Sequence, residues 1–124
     1  MSVQNVKVKC IRPIGYDNLR EWMEGAENVY VARRGVVFVD GVRYPITDSP
    51  FANPYKIGRD GSRSDVLEKY REWLEKQVSD GTISPEMIES LRGKTLGCWC
   101  APEPCHAEIL IDYLNANANA STDT

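Results

Sequence analysis

Strand-like segments alternate with amphipathic helical segments along most of the chain, and this order is the strongest constraint on its fold. The patterns predict strands at 6–11, 28–33 and 94–100, and helices at 17–26, 62–81, 84–93 and 104–115. One hairpin interrupts the alternation at 36–46, where Asp40-Gly41 separates two apolar runs and suits a tight turn with positive φ angles. We therefore predict a single α/β domain over residues 1–116, with a mixed sheet, an inserted hairpin and helices packed on its faces.

The predicted helix ends carry residues that suit those positions. Ser62 or Ser64 is expected to cap the long helix, and Gly81 to end it. Ser84 precedes Pro85, which is the order typical of an N-cap followed by the first helical residue. These local signals divide the second half of the chain into two successive helices.

The overall composition predicts a soluble globular protein. Apolar residues make up 42% of the chain and charged residues 27%, and no apolar run is long enough to span a membrane. The first residues lack a secretory apolar stretch, so we expect a cytoplasmic location and no membrane partner. The net charge of −3 does not favour nucleic acid as a partner. The small, polar tail at 117–124 is expected to be disordered.

Three of the four cysteines and the only histidine lie between residues 98 and 106. One interpretation is a zinc or iron site with Cys98, Cys100, Cys105 and His106 as ligands. The spacing makes this demanding, because side chains two residues apart on an extended strand lie about 6–7 Å apart. Two sulfurs on a single zinc ion must lie about 4 Å apart. A metal site therefore requires a bent backbone here.

A second interpretation is a reactive thiol. Cys105 is predicted in the first turn of the last helix, where free amides and the helix dipole favour a thiolate. A protonated His106 beside it lowers the thiol pKa further and can serve as general acid or base. The third interpretation is plain burial, because Trp99 alternates with the two strand cysteines as a core residue would. Cys10, on the predicted first strand, is expected in the core.

The order of several segments resembles an uncharacterised bacterial and phage family, the domain of unknown function DUF4326. The segments are VYVARRG, SPFANPYKIG, GSRSDVLEKYREWL and LRGKTLGCWCAPEPCHAEIL, and they extend over roughly 28–114. The resemblance implies no reaction, since no activity is established for the family. The positions that match its motifs are Arg33 or Arg34, Asn53, Pro54, Arg63, Tyr70, Cys98, Cys100, Cys105 and His106.

These residues favour a pocket that binds a nucleotide-like or other anionic small molecule, with or without processing it. Arg33, Arg34, Asn53 and Arg63 are the predicted ligand-binding residues, because arginine forks and helix N-termini suit phosphate and carboxylate. Cys105 and His106 are the predicted catalytic pair. Two alternatives remain open: a protein whose cofactor is zinc or iron at the cysteine-histidine cluster, and a non-catalytic interaction module of phage or bacterial origin. The sequence predicts no oligomeric state.

Overall fold

The computed structural model describes residues 2–100 and 103–116, and it confirms the α/β class. In chain order the elements are β1 (Ser2–Asn5), α1 (Val8–Ile11), a 3-10 turn (Arg12–Ile14), α2 (Leu19–Glu24), β2 (Asn28–Tyr30), β3 (Val37–Val39), β4 (Val42–Tyr44), α3 (Arg63–Ser79), α4 (Pro85–Glu89), β5 (Thr95–Cys98) and α5 (His106–Ala116). Within those ranges, no helix is both long and apolar enough to cross a membrane. The predicted disordered tail at 117–124 lies outside the described residues.

The central strand of the main sheet is β5, the last strand in the chain. β1 and β2 flank it on either side, and both run parallel to it. The hairpin of β3 and β4 is a separate antiparallel pair, so the parallel and antiparallel strands lie in two sheets instead of one mixed sheet. Its turn follows the prediction, with φ angles of 52° at Asp40 and 78° at Gly41.

Successive side chains of β5 point to opposite faces of the sheet and into two different cores. Leu96 and Cys98 pack with buried residues of α3, α4 and α5. Gly97 faces the other core, which α1 and α2 supply, and there a Cβ atom would lie 2.5 Å from Cη2 of Trp22. Glycine is therefore required at this point, because the indole packs directly on the strand backbone.

The caps of the two middle helices follow the sequence signals. Ser62 is the N-cap of α3, accepting a hydrogen bond from the backbone N–H of Asp65 at 3.3 Å while its own N–H donates to the Asp65 carboxylate at 3.0 Å. This reciprocal pair decides between the two candidate serines in favour of Ser62. Ser84 caps α4 by accepting from the N–H of Met87, and Pro85 is its first residue.

The predicted first strand at 6–11 is wrong. Asn5 ends β1, and its side-chain oxygen accepts from the N–H of Lys7 at 3.0 Å, which turns the chain. Val8 and Ile11 then fall at helical spacing in α1, and Ile11 is fully buried. The expectation that Cys10 is a core residue of a strand fails for the same reason, since Cys10 is half-buried on this short helix.

Candidate functional site

The end of β5 and the start of α5 bring three thiols together. Cys98 is the last residue of β5, Cys100 lies two positions further on the same face, and Cys105 immediately precedes α5. The N–H of Glu103 donates to the carbonyl of Cys100 at 2.8 Å, which turns the chain back. As a result, the Cys105 thiol hydrogen-bonds to the sulfurs of both Cys98 and Cys100, and all three residues are thiols that are not joined in disulfides.

His106 is held in one tautomer. Its Nε2 lies 2.5 Å from the carbonyl oxygen of Val31, and because a carbonyl only accepts, Nε2 carries the proton. Nδ1 is then an acceptor, 3.5 Å from Sγ of Cys105. Burial of the ring lowers the pKa of His106 to about 4, against the raising effect of the Val31 carbonyl. The expected protonated His106 is therefore wrong, since the ring is neutral at pH 7.

The surroundings of Cys100 favour its ionised form, whereas those of Cys105, the predicted thiolate, oppose ionisation. Hydrogen bonds from Cys105 to Cys100 and Cys98, together with burial, raise the pKa of the Cys105 thiol far above its ordinary value. The N–H of Ala107, at the start of α5, acts in the opposite direction and is outweighed. The thiol of Cys105 and then the guanidinium of Arg63 lower the pKa of Cys100 to about 6. These contacts make Cys100 the thiol of the cluster that ionises most readily, with Cys105 as its hydrogen-bond donor.

Cys100 opens onto a cavity of about 480 Å³. The cavity lies between the ends of β2 and β5, the loop that follows the hairpin, and the start of α5. It contains three further candidate residues from the sequence, Arg33, Asn53 and His106. The remaining lining side chains are cationic, aromatic or apolar: Lys56, Tyr55, Trp99, Ala32, Val36, Ile57 and Val66.

Arg33 and Asn53 shape one wall of this cavity. The guanidinium of Arg33 donates to the carbonyl of Asn53 at 3.0 and 2.8 Å, and to that of Tyr55 at 2.8 Å. The Asn53 side chain accepts from the N–H of Tyr55 at 2.9 Å, which closes a local turn. Arg33 therefore uses much of its donor fork to hold the loop, while its charge stays beside the cavity.

Arg63 and Arg34, the other two predicted anion-binding residues, have different positions. Arg63 donates to the carbonyl of Pro104 at 3.0 Å and to the sulfur of Cys100, so it links the start of α3 to the thiol cluster. Arg34 is exposed and borders a separate groove beside the hairpin, and its backbone N–H donates to Asp48 at 2.8 Å. Arg34 therefore does not join the other predicted residues.

Lys56, Tyr55 and Trp99 also line the cavity, although none of them was a predicted ligand-binding or catalytic residue. Lys56 and Tyr55 lie in the long loop between β4 and α3, whose proline, glycine and serine content is typical of a functional loop. Trp99 has the alternating position of a core residue, and its indole N–H does donate to the Tyr30 hydroxyl at 2.7 Å. Loop length was the available signal for Lys56, whereas nothing local distinguishes Trp99.

The zinc or iron site stays a prediction. Over the ranges 2–100 and 103–116, no group of three or more histidine, cysteine, aspartate or glutamate side chains is arranged to hold a metal ion. The Nε2 atom of His106 is already bonded to Val31, so only its Nδ1 faces the thiols.

Comparison with known proteins places the chain among uncharacterised phage and bacterial sequences. The family described as Domain of unknown function (DUF4326) matches residues 4–116, which extends the predicted resemblance to β1, α1 and α2. An uncharacterized 12.4 kDa protein in the nrdA-td intergenic region of Enterobacteria phage T4 is 37% identical over 60 residues. That alignment covers 48% of this chain and 56% of the phage protein, so the chain spans about half the length of this relative. No solved structure matches significantly.

Proposed function

We propose that this chain, which belongs to the DUF4326 family, binds an anionic small molecule in the cavity beside Cys100. In this proposal the Cys100 thiolate is the nucleophile that acts on the bound ligand. The observation that supports it most directly is the placement of Cys100, whose sulfur is hydrogen-bonded to Cys105 and Arg63 and opens onto the cavity. Thiolates stabilised by a cation in a partly open site are typical of reactive cysteines.

The side chains around the cavity favour a ligand that combines negative charge with a flat or apolar part. Lys56 lines the cavity and Arg33 contributes its charge, while Arg63 lies at the Cys100 end. Tyr55 and Trp99 offer aromatic surface next to these cations. A volume of about 480 Å³ falls within the usual range for small-molecule sites, which is about 300–1,000 Å³. A nucleotide-like anion fits this description.

Thermal shift measurements with a panel of anions test the binding site. The panel contains inorganic phosphate, nucleoside mono- and triphosphates and small dicarboxylates, each added to the wild type, Lys56→Ala and Arg34→Ala. We expect at least one anion to stabilise the wild type and Arg34→Ala, and to bind Lys56→Ala about tenfold more weakly, because a hydrogen bond to a charged group contributes about 1.5–3 kcal/mol. Arg34 is the matched control, since it is a cation outside the cavity.

Protection of Cys100 from alkylation links binding to the thiolate. An anion found in the panel should slow the reaction of Cys100 with iodoacetamide, because it covers the sulfur. If no anion stabilises the wild type, or if the bound anion leaves alkylation of Cys100 unchanged, the proposed site is wrong.

A separate observation favours the non-catalytic interaction module as a second candidate. Phe38, Val42 and Ile46, on or next to the hairpin, are 65%, 60% and 73% exposed. Val42 and Ile46 line the same surface groove, and contiguous apolar surface often marks a contact with another protein. Under this proposal, the double variant Phe38→Ser, Ile46→Ser loses a specific partner in pull-downs while it keeps the fold and the reactivity of Cys100. Retention of the same partner by the variant would contradict it.

A further inference from the structure

The Cys105 thiol has a position that the proposed attack by Cys100 does not require. Cys105 is 2% exposed, so molecules in solution have little access to its sulfur. That sulfur nevertheless contacts the sulfur of Cys100, because the turn from Cys100 to Glu103 folds the chain back on itself. A thiol shielded from solvent and in contact with a reactive sulfur is placed to attack that sulfur once it has been modified.

His106 provides an acceptor for the proton that such an attack must release. Three acceptors lie within reach of the Cys105 thiol: the sulfurs of Cys98 and Cys100, and Nδ1 of His106 at 3.5 Å. When Cys100 is bonded to another sulfur it carries no negative charge, and Nδ1 becomes the better acceptor. The Val31 carbonyl keeps the proton on Nε2, so Nδ1 stays available.

We propose that Cys100 and Cys105 form a redox-active dithiol that reduces small anionic disulfides, with Cys105 as the resolving thiol and His106 as its proton acceptor. This inference rests on the proposed thiolate at Cys100. Four residues separate Cys100 from Cys105 in the chain, and the hydrogen bond from the N–H of Glu103 to the carbonyl of Cys100 helps to bring the two cysteines together. Cys98 also contacts Cys105, but it is fully buried and does not line the cavity, so it is not the attacking residue.

The exchange proceeds in two balanced steps. The Cys100 thiolate attacks one sulfur of the disulfide R–S–S–R, forming a Cys100–S–S–R bond and releasing R–S⁻. The Cys105 sulfur then attacks Sγ of Cys100 as its proton passes to Nδ1 of His106. The bond between Cys100 and R–S breaks, and the second R–S⁻ leaves and takes up the proton from His106. The dithiol is oxidised to a disulfide, and the substrate disulfide is reduced to one thiol and one thiolate, which takes its proton from water.

The charges around the cavity select the class of disulfide. Lys56 and Arg33 line the approach to Cys100, and Arg63 contacts its sulfur. Among the described residues, no aspartate or glutamate side chain lines this cavity. A disulfide that carries carboxylates is therefore favoured over one that carries amines. Glutathione disulfide is a suitable anionic probe, and cystamine is its cationic counterpart.

Mass spectrometry of the full chain tests the resolving step. All proteins carry Cys10→Ser, which removes the half-buried thiol outside the cluster. With glutathione disulfide, we expect this background protein to become lighter by two hydrogens and to show a Cys100–Cys105 disulfide on peptide mapping. The further change Cys105→Ser should leave a stable glutathione adduct on Cys100. The further change Cys98→Ala should still allow the Cys100–Cys105 disulfide to close.

The outcomes separate this inference from the proposed function. If the background protein keeps the adduct as Cys105→Ser does, the resolving role of Cys105 is overturned while the reactive Cys100 thiolate is retained. If neither protein forms an adduct or a disulfide, the thiolate and the dithiol are both wrong. A disulfide between Cys98 and Cys105 in place of the predicted one would also overturn the inference.

His106→Gln supplies a readout that a merely structural role would not produce. The glutamine amide can still donate to the Val31 carbonyl, but it lacks the acceptor nitrogen beside Cys105. We expect closure of the disulfide, measured relative to adduct formation in the same protein, to be about a hundredfold slower than in the background protein, as for loss of a general base. Equal closure rates in the two proteins would overturn the role of His106.

The charge of the probe tests the substrate class. Glutathione disulfide should react several-fold faster than cystamine, and Lys56→Ala should reduce that ratio while Arg34→Ala leaves it unchanged. The ratio should also fall at high ionic strength, because salt screens the attraction. If cystamine reacts as fast as glutathione disulfide in the unmodified cavity, the anionic class is wrong.

Discussion

At the scale of single residues, Cys100 is the thiol of the cluster whose contacts favour ionisation. Because its pKa is lowered to about 6, the sulfur is protonated and slow to react below pH 6 and is a thiolate above it. In the Cys10→Ser background, we expect alkylation of Cys100 by iodoacetamide to rise through a midpoint near pH 6 and to level off by about pH 8. An unperturbed cysteine would continue to gain reactivity up to about pH 9.

Arg63 contributes to this thiolate through a hydrogen bond and its charge, so Arg63→Met should move the alkylation midpoint to higher pH. Lys76→Met removes a cation from the far end of the same helix and serves as the matched control. The midpoint should stay near pH 6 in that variant. A midpoint that does not change in Arg63→Met would show that the Cys105 hydrogen bond alone sets the charge.

The buried His106 links stability to acid. Its pKa in the folded protein, about 4, lies below the value of 6.5 expected in the unfolded chain. The unfolded state therefore binds more protons between these values, and the stability present above pH 6.5 is lost as the pH falls towards 4. The free energy of unfolding should decrease by up to about 3 kcal/mol over this interval. Urea titrations at both pH values should show a clearly smaller decrease for His106→Gln than for the wild type.

At the scale of elements, α3 depends on the serine that caps it. Ser62→Ala removes the acceptor for the Asp65 N–H and should cost about 1 kcal/mol in the free energy of unfolding. Ser79→Ala is the matched control, because Ser79 is the exposed last residue of the same helix, far from the cap. Equal losses in chemical denaturation for the two variants would contradict the assignment of Ser62 as the cap.

The contact between β5 and α2 leaves no space for a side chain at position 97. Gly97→Ala places a Cβ atom against the Trp22 indole and should destabilise the fold by about 1–3 kcal/mol. A double-mutant cycle with Trp22→Leu measures the cause, because the smaller side chain relieves the clash. We expect the alanine to cost much less in that background. Additive losses would show that the indole is not the cause, and would assign the clash to Val6, whose Cγ1 would lie 2.8 Å from the new Cβ atom.

Turn and capping residues in the sequence correctly predicted those turns and helix ends that depend only on residues close together in the chain. The Asp40-Gly41 turn and the Ser84-Pro85 helix start depend on neighbouring residues alone, and both were predicted correctly. Apolar and polar residues alternate at 6–11 as they do in a strand. The Asn5 side chain, however, accepts from the N–H of Lys7 and turns the chain away from the sheet before this segment begins to pair. The sequence also predicted the thiol cluster but not its ionised member. That assignment depends on the hydrogen bond from Cys105 and then on Arg63, which is distant along the chain.

At the scale of the whole molecule, both outer strands of the main sheet depend on β5. β1 and β2 each pair with β5 and not with each other. A chain that ends at residue 94 should therefore form no cooperative structure, whereas a chain that ends at residue 116 should fold. Near-UV circular dichroism and urea titration distinguish the two. A cooperative unfolding transition in the shorter chain would show that the helices and the hairpin fold without the sheet.

The late position of β5 also orders events during synthesis on the ribosome. β1 and β2 leave the exit tunnel well before the strand that joins them, so they must wait with unpaired edges until Thr95–Cys98 has emerged. Cys98 is the last residue of β5, and Cys100 emerges two residues later. A nascent chain therefore acquires its sheet and its thiol cluster nearly together, and a partly made chain does not present a preformed thiolate site.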